Sequence, residues 1–216
     1  MSATLQKLLA AQLHSHVRLH LGAPTLPRIR VLDSARKPAK RLSAESHILE
    51  IVAKLEVYSS TTGTVALTGI AGVKHSGTIL LVRPSEGEPF HVELARSGKT
   101  LTVTRVSSGG TAKDLEKALE RAASKTRGKG SEFRVLRVPA MHLSAVWRRY
   151  PNKPEADAFI AYTQNFVGLR VGQAYTRQGI ERVLKQHATQ MILRWYERHE
   201  KTDMQPMPGD QNRGSS

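Results

Sequence analysis

Short runs of strand-forming residues, each closed by turn residues, place the tightest limit on how this chain can fold. Runs rich in Val, Leu, Ile and Thr lie at residues 46–59, 65–73, 78–83, 90–94 and 100–106. Clusters of His, Ser, Gly, Pro and Lys separate them. Runs of this length and spacing predict neighbouring strands joined by tight connections. We therefore expect an antiparallel β meander.

Residues 46–59 allow two interpretations. Ile48, Val52 and Leu55 have the spacing of one helix face, whereas every second residue from Leu49 to Val57 is apolar, as in a strand. The strand-like runs that follow favour the strand.

Three segments have the pattern of a helix. Residues 4–21 carry an apolar stripe that ends before Gly22 and Pro24, a typical helix C-terminus. Residues 111–124 begin with the capping-box pair Thr111 and Asp114. Residues 176–200 predict a long C-terminal helix. The apolar stripe of this last helix is Ile180, Leu184, His187, Met191 and Trp195.

Further strands are predicted at residues 132–138, 141–148 and 157–163, with Trp147 pointing inward. The expected fold class is α+β, built on an antiparallel β meander of about five to eight strands with an N-terminal, a middle and a long C-terminal helix. Residues 1–42 form a helix and a basic arm, residues 43–200 a single domain, and residues 201–216 a polar tail that we expect to be disordered.

Composition excludes several classes of protein. Cysteine is absent, so disulfides, thiolate nucleophiles and cysteine-ligated zinc are excluded. No apolar run approaches the length of a membrane span, and we expect a cytoplasmic protein. The basic, amphipathic N-terminus leaves a transit peptide as an alternative.

Positive charge is the largest departure from an average composition: the net charge is +15, and it is concentrated in two regions. Residues 1–42 hold eight Lys or Arg against the single acid Asp33, and residues 111–155 hold eleven against five. Such concentration is typical of a surface that binds a polyanion, although a solvated surface explains it equally well.

Basic residues interleaved with aromatic residues suit nucleic acid, because arginine pairs with phosphate and aromatic faces stack on bases. The sequences Trp147-Arg148-Arg149-Tyr150 and Arg194-Trp195-Tyr196 have this character. Both tryptophans fall on the inward side of their elements, so we predict that they belong to the core. The candidate nucleic-acid-binding residues are Arg28, Arg30, Arg36, Lys37, Lys40, Arg41, Lys125, Arg127, Lys129, Arg148, Arg149 and Tyr150.

Three further patterns resemble known binding motifs but lack residues or flanking structure that those motifs require. Residues 97–100, Ser-Gly-Lys-Thr, lack the first glycine of a P-loop, and a strand is predicted after them. Residues 69–72, Gly-Ile-Ala-Gly, have KH-loop spacing, but the predicted flanks are strands, so we interpret the glycines as a bend. His14, His16 and His20 have no Cys, Asp or Glu beside them to complete a metal site.

The sequence thus favours a non-enzymatic module that binds a polyanion, with RNA or single-stranded DNA ahead of other polyanions. It predicts no cofactor and no metal. The alternative is an assembly component whose N-terminal helix docks on a partner and whose charge matches an acidic protein. An enzyme is the third hypothesis, and a pocket that gathers His142 or His75 with a carboxylate would favour it.

Overall fold

The computed structural model describes residues 30–33, 48–84, 88–97, 100–124 and 130–203. The strands are β1 Arg30–Asp33, β2 Ile48–Ser59, β3 Lys74–Pro84, β4 Phe90–Ser97, β5 Thr100–Ser108, β6 Glu132–Val138, β7 Leu143–Arg149, β8 Ala158–Ala161 and β9 Ala174–Thr176. The helices are α1 Thr62–Thr68, α2 Gly110–Ser124 and α3 Arg177–Asp203, with short 3-10 turns at Gly69–Gly72, Pro139–Met141 and Pro154–Ala156.

The described strands form one mixed sheet in the order β5-β4-β3-β2-β6-β7-β8-β9. Strands β2 to β5 form one antiparallel meander and β6 to β9 a second. The two meet in a parallel pair, with Glu56 opposite Arg134 and Ser59 opposite Arg137. Strand β1 pairs in parallel with the beginning of β2, along the edge that β6 occupies further on. The α+β class is confirmed, but the predicted single antiparallel meander is wrong at this parallel junction.

Helices cover both faces of the sheet. Neighbouring residues of a strand point to opposite faces. Side chains of β6 accordingly contribute to two apolar clusters, one on each face of the sheet. Val135 packs with Leu115 and Ala118 of α2, whereas Leu136 packs with Ile180 and Leu184 of α3. The central strands are therefore buried from above and below.

Helix α1 replaces a predicted strand over residues 65–73. The hydroxyl of Thr61 accepts a hydrogen bond from the Thr64 N–H and caps the helix. Val65 is fully buried while Leu67 is 83% exposed. Two residues at i and i+2 share a face in a strand but not in a helix. The Gly69–Gly72 segment is a 3-10 turn after a helix, and the prediction of a bend in a strand is wrong there.

Several predictions fall outside the described residues: the helix at residues 4–21, nearly all of the basic arm, and residues 204–216. Helix α3 itself continues to Asp203, beyond the predicted domain boundary at residue 200. Within the described ranges, no helix is long and apolar enough to cross a bilayer.

Candidate functional site

Most of the predicted nucleic-acid-binding residues lie outside the described ranges. These are Arg28, Arg36, Lys37, Lys40, Arg41, Lys125, Arg127 and Lys129. Arg30 opens strand β1, of which the backbone alone is described. The structure thus brings together only Arg148, Arg149 and Tyr150, at the end of β7.

Arg148 belongs to the interior, not to the surface on which we predicted it. Its side chain is 4% exposed, and Nη1 donates to the Ala122 carbonyl at the end of α2 at 2.8 Å. Its guanidinium also lies 5.1 Å from the centre of the Tyr150 ring. A guanidinium committed in this way to internal contacts is not presented to a phosphate, so the surface position predicted for Arg148 is wrong.

Arg149 and Tyr150 are half-buried. Arg149 Nη1 lies 3.4 Å from Glu132 Oε2, and the Tyr150 N–H donates to Asp157 Oδ1 at 2.8 Å. The same carboxylate accepts from Trp147 Nε1 at 3.0 Å and from Arg177 at 3.3 Å. This network ties β7 to the start of α3, and Trp147, 5% exposed, belongs to the core as predicted.

The second predicted core tryptophan is on the surface. Trp195 and Tyr196 are each 56% exposed and Leu193 is 55% exposed. The buried stripe of α3 ends with Ala188, after Ile180 and Leu184. We call the exposed continuation of the helix, residues 189–199, the α3 arm. The prediction that Trp195 packs in the core is wrong, because the helix extends past the sheet that buries its first half.

Aromatic rings cluster on the α3 arm. The Trp195 and His199 rings stack with centroids 4.0 Å apart, and Tyr196 meets Trp195 edge-on at 5.2 Å. His199 Nδ1 lies 2.7 Å from the Trp195 carbonyl oxygen, which fixes the histidine ring. Within the arm, Arg194 and Arg198 stand against the single acid Glu197. The arm thus combines a small excess of positive charge with an exposed aromatic cluster.

One signal in the sequence could have located the arm. A helix of 27 residues is about 40 Å long, whereas the strands beneath it, with four residues in β8 and three in β9, span only about 10–14 Å. The length of the predicted helix therefore indicates that its end extends past short strands, but the width of the sheet is known only from the structure.

A polar cavity of about 410 Å³ lies on the α2 face of the sheet, at the beginning of that helix. We call it the β4–β7 cavity. Its walls come from β4, β5, β6, β7, the residues after β8 and the first turn of α2. The lining residues are His91, Glu93, Arg105, Thr111, Arg137, Pro139, His142, Leu143, Ser144, Tyr162, Thr163 and Gln164.

Glu93 and Arg137 form a two-pronged ion pair in this cavity, with nitrogen–oxygen distances of 2.7 and 2.8 Å. Strands β3 and β2 lie between their strands, so the ion pair reaches across the face of the sheet. Burial opposes ionisation of Glu93, but hydrogen bonds from Arg137 and His91 outweigh it and hold the pKa of Glu93 well below its usual range. The hydrogen bond to Glu93 raises the pKa of Arg137. Both groups are therefore charged at every physiological pH.

Tyr162 and His91 are the most deeply buried polar groups of the cavity. Burial raises the pKa of Tyr162, so its hydroxyl stays protonated. His91 is 3% exposed, and its Nε2 lies 3.5 Å from Glu93 Oε1. Its Nδ1 is buried and has no hydrogen-bond partner in the described part of the chain. Buried polar atoms without partners are rare, and each calls for an explanation such as strain, a bound water or ion, or a functional role.

One of the two histidines considered for an enzyme site lies in a pocket with a carboxylate. His142 lines the β4–β7 cavity together with the carboxylate Glu93. His75 Nε2 lies 2.5 Å from Glu56 Oε2, but on an exposed part of the sheet. No described group of three His, Asp or Glu side chains is arranged to hold a metal ion, and His14, His16 and His20 lie outside the described residues.

Comparisons with protein-family models, with curated proteins and with solved structures found no match to this chain.

Proposed function

We propose that this protein binds single-stranded nucleic acid, and that the α3 arm carries the contact. The observation on which the proposal rests is the exposure of Trp195 and Tyr196, 56% each, on a helix with an excess of positive charge. Large contiguous exposed apolar patches are uncommon on monomeric proteins and often mark a binding surface, and Leu193 is exposed beside the two aromatic side chains.

The arm has the two components of a single-strand site. Flat rings stack on unpaired bases irrespective of sequence, and cations nearby attract the phosphates. Arg194 and Arg198 flank Trp195 on the helix surface. Bases within a duplex are already stacked on one another, so the rings favour single strands. The net charge of +15 raises the rate of encounter with any polyanion.

The arm is held rigid by the first half of its own helix. Ile180, Leu184 and Ala188 are fully buried in the core. Arg177 anchors the first turn of α3 to Asp157, which lies before β8. A helix fixed at one end presents its rings with little loss of conformational entropy on binding.

Binding of labelled, unphosphorylated oligonucleotides across a salt series tests the proposal, with single-stranded RNA, single-stranded DNA and duplex DNA in parallel. Trp195→Ala should weaken single-strand binding about tenfold, since stacking on one base contributes about 1–3 kcal/mol. Trp195→Phe should restore most of it. Phe166→Ala is the matched control, because Phe166 is 68% exposed but lies off the arm.

Equal affinity of the wild type and Trp195→Ala for every polymer would overturn the proposal. The alternative is an assembly role, which exposed Leu193 and Met191 favour because apolar side chains suit a protein partner. Light scattering on the same variants distinguishes the two. Self-association that Trp195→Ala abolishes, without any effect on oligonucleotides, would assign the arm to protein contacts.

A further inference from the structure

We propose that the β4–β7 cavity is a binding site for a phosphate monoester. The cavity lies on the α2 face of the sheet, whereas the arm extends from α3 on the other face, so the two sites are separate. Its volume of about 410 Å³ falls within the range of small-molecule pockets.

The charge of the cavity favours an anion. Glu93 is the single carboxylate of the lining, and Arg137 neutralises it through both oxygens. Arg105 then contributes a positive charge with no ion-pair partner among the described residues. Thr111 brings the first turn of α2 to the wall, where helix N–H groups and the helix dipole attract negative charge.

His91 supplies the second, independent indication. Its Nδ1 is buried in the protein without a partner, and its ring lines the cavity. Nε2 lies 3.5 Å from Glu93 Oε1, so Nδ1 is the ring nitrogen that the fold leaves without a partner among the described residues. A buried group that the fold itself leaves unsatisfied has a partner to gain from a ligand.

Tyr162 completes the set of donors. Its hydroxyl remains protonated because burial raises its pKa, whereas the hydroxyl of Thr163 already donates to the His142 carbonyl at 3.0 Å. Donors from several directions suit the three terminal oxygens of a phosphate monoester better than the two of a carboxylate. The phosphate can belong to a small metabolite or to the 5′ end of a nucleic-acid strand.

Titration of the full chain with inorganic phosphate and with a nucleoside 5′-monophosphate, with the uncharged nucleoside as control, tests the site. We expect phosphate to raise the melting temperature and to shift the ring-nitrogen NMR signals of His91 but not those of His187 on α3. Arg105→Gln should weaken phosphate binding about tenfold. Lys117→Gln, which removes the same charge from an exposed position on α2, should leave it unchanged.

A comparison of 5′-phosphorylated and 5′-hydroxyl oligonucleotides identifies the source of the phosphate. If the site holds a strand end, Arg105→Gln weakens the phosphorylated oligonucleotide alone. If it holds a metabolite, Arg105→Gln leaves the affinity for both oligonucleotides unchanged and weakens binding of the mononucleotide alone. Unmoved His91 signals at saturating phosphate would overturn the inference. Trp195→Ala leaves phosphate binding intact in either case, so failure of this site and failure of the arm are distinguishable.

Discussion

The alternation of side chains along β7 predicts the burial of Trp147 correctly but not that of Arg148. Alternation placed Trp147 inward, and it is buried. The same rule placed Arg148 on the opposite face and therefore in solvent. Strand β7 lies between β6 and β8 with helices on both faces, so both of its faces are interior. Single-sequence alternation identifies the faces of a strand but not which faces are covered.

Glu93 gives a prediction at this scale. Glu93→Gln should lower the free energy of unfolding by about 3 kcal/mol at neutral pH, because it leaves the partly buried Arg137 without its counter-charge. Denaturant unfolding measures the loss. Glu88→Gln is the control, since the Glu88 carboxylate pairs with Lys113 at an exposed position, 58% accessible, where an ion pair contributes at most about 1 kcal/mol.

The same pair gives a pH dependence. The folded-state pKa of Glu93 is depressed below 4.5, the ordinary value of a glutamate, so its contribution to stability is complete above that pH and declines as the pH falls further. The gap in stability between the wild type and Glu93→Gln should therefore narrow on acidification below 4.5. A gap that stays constant down to strongly acidic pH would contradict the depressed pKa.

At the scale of elements, strands β3 to β6 and helices α2 and α3 were predicted to within a few residues, because their periodicity and turn signals agree. Helix α1 was missed because seven residues carry too little periodicity. Where a strand was predicted, Thr61 caps this short helix, and Val65 is its buried residue. The length of α3 was foreseen, but its overhang depends on the width of a sheet assembled from distant segments.

Strand β3 offers a test of how closely it packs against β4. A Cβ on Gly77 would lie 2.7 Å from the Leu94 carbonyl oxygen of β4, so backbone would have to move. Gly77→Ala should destabilise the protein by about 1–3 kcal/mol. Gly63→Ala, in α1, meets no atom within 4 Å and should be neutral or slightly stabilising. Equal melting temperatures for the two variants would show that β3 tolerates the displacement.

For the whole molecule, the parallel pairing of β2 with β6 decides the architecture, and no local pattern predicts it. The seven residues of β6 join the middle of the sheet after the chain has crossed from its outer strand through α2. Such a pairing depends on the collective burial of both meanders under α2, where Leu55 and Ile79 of the first pack with Val146 and Ile160 of the second.

This shared cluster predicts that the two meanders unfold together. Leu115→Ala removes a fully buried side chain of α2 and should cost about 2–5 kcal/mol. Hydrogen exchange should then accelerate equally in β3 and in β7. Leu67→Ala, at a position 83% exposed, should change stability by less than about 0.5 kcal/mol. Loss of protection in one meander alone would show that the halves are independent units.

The contrast between the two tryptophans has an optical consequence. The chain has only Trp147 and Trp195, the first enclosed and hydrogen-bonded to Asp157, the second open to water. Emission from the enclosed indole reports on folding, and emission from the open indole reports on whatever settles against the arm. Trp195→Phe should remove the component that soluble quenchers reach and leave the other in place. The protein thus reports its folding and its binding as two separable fluorescence signals, without any added label.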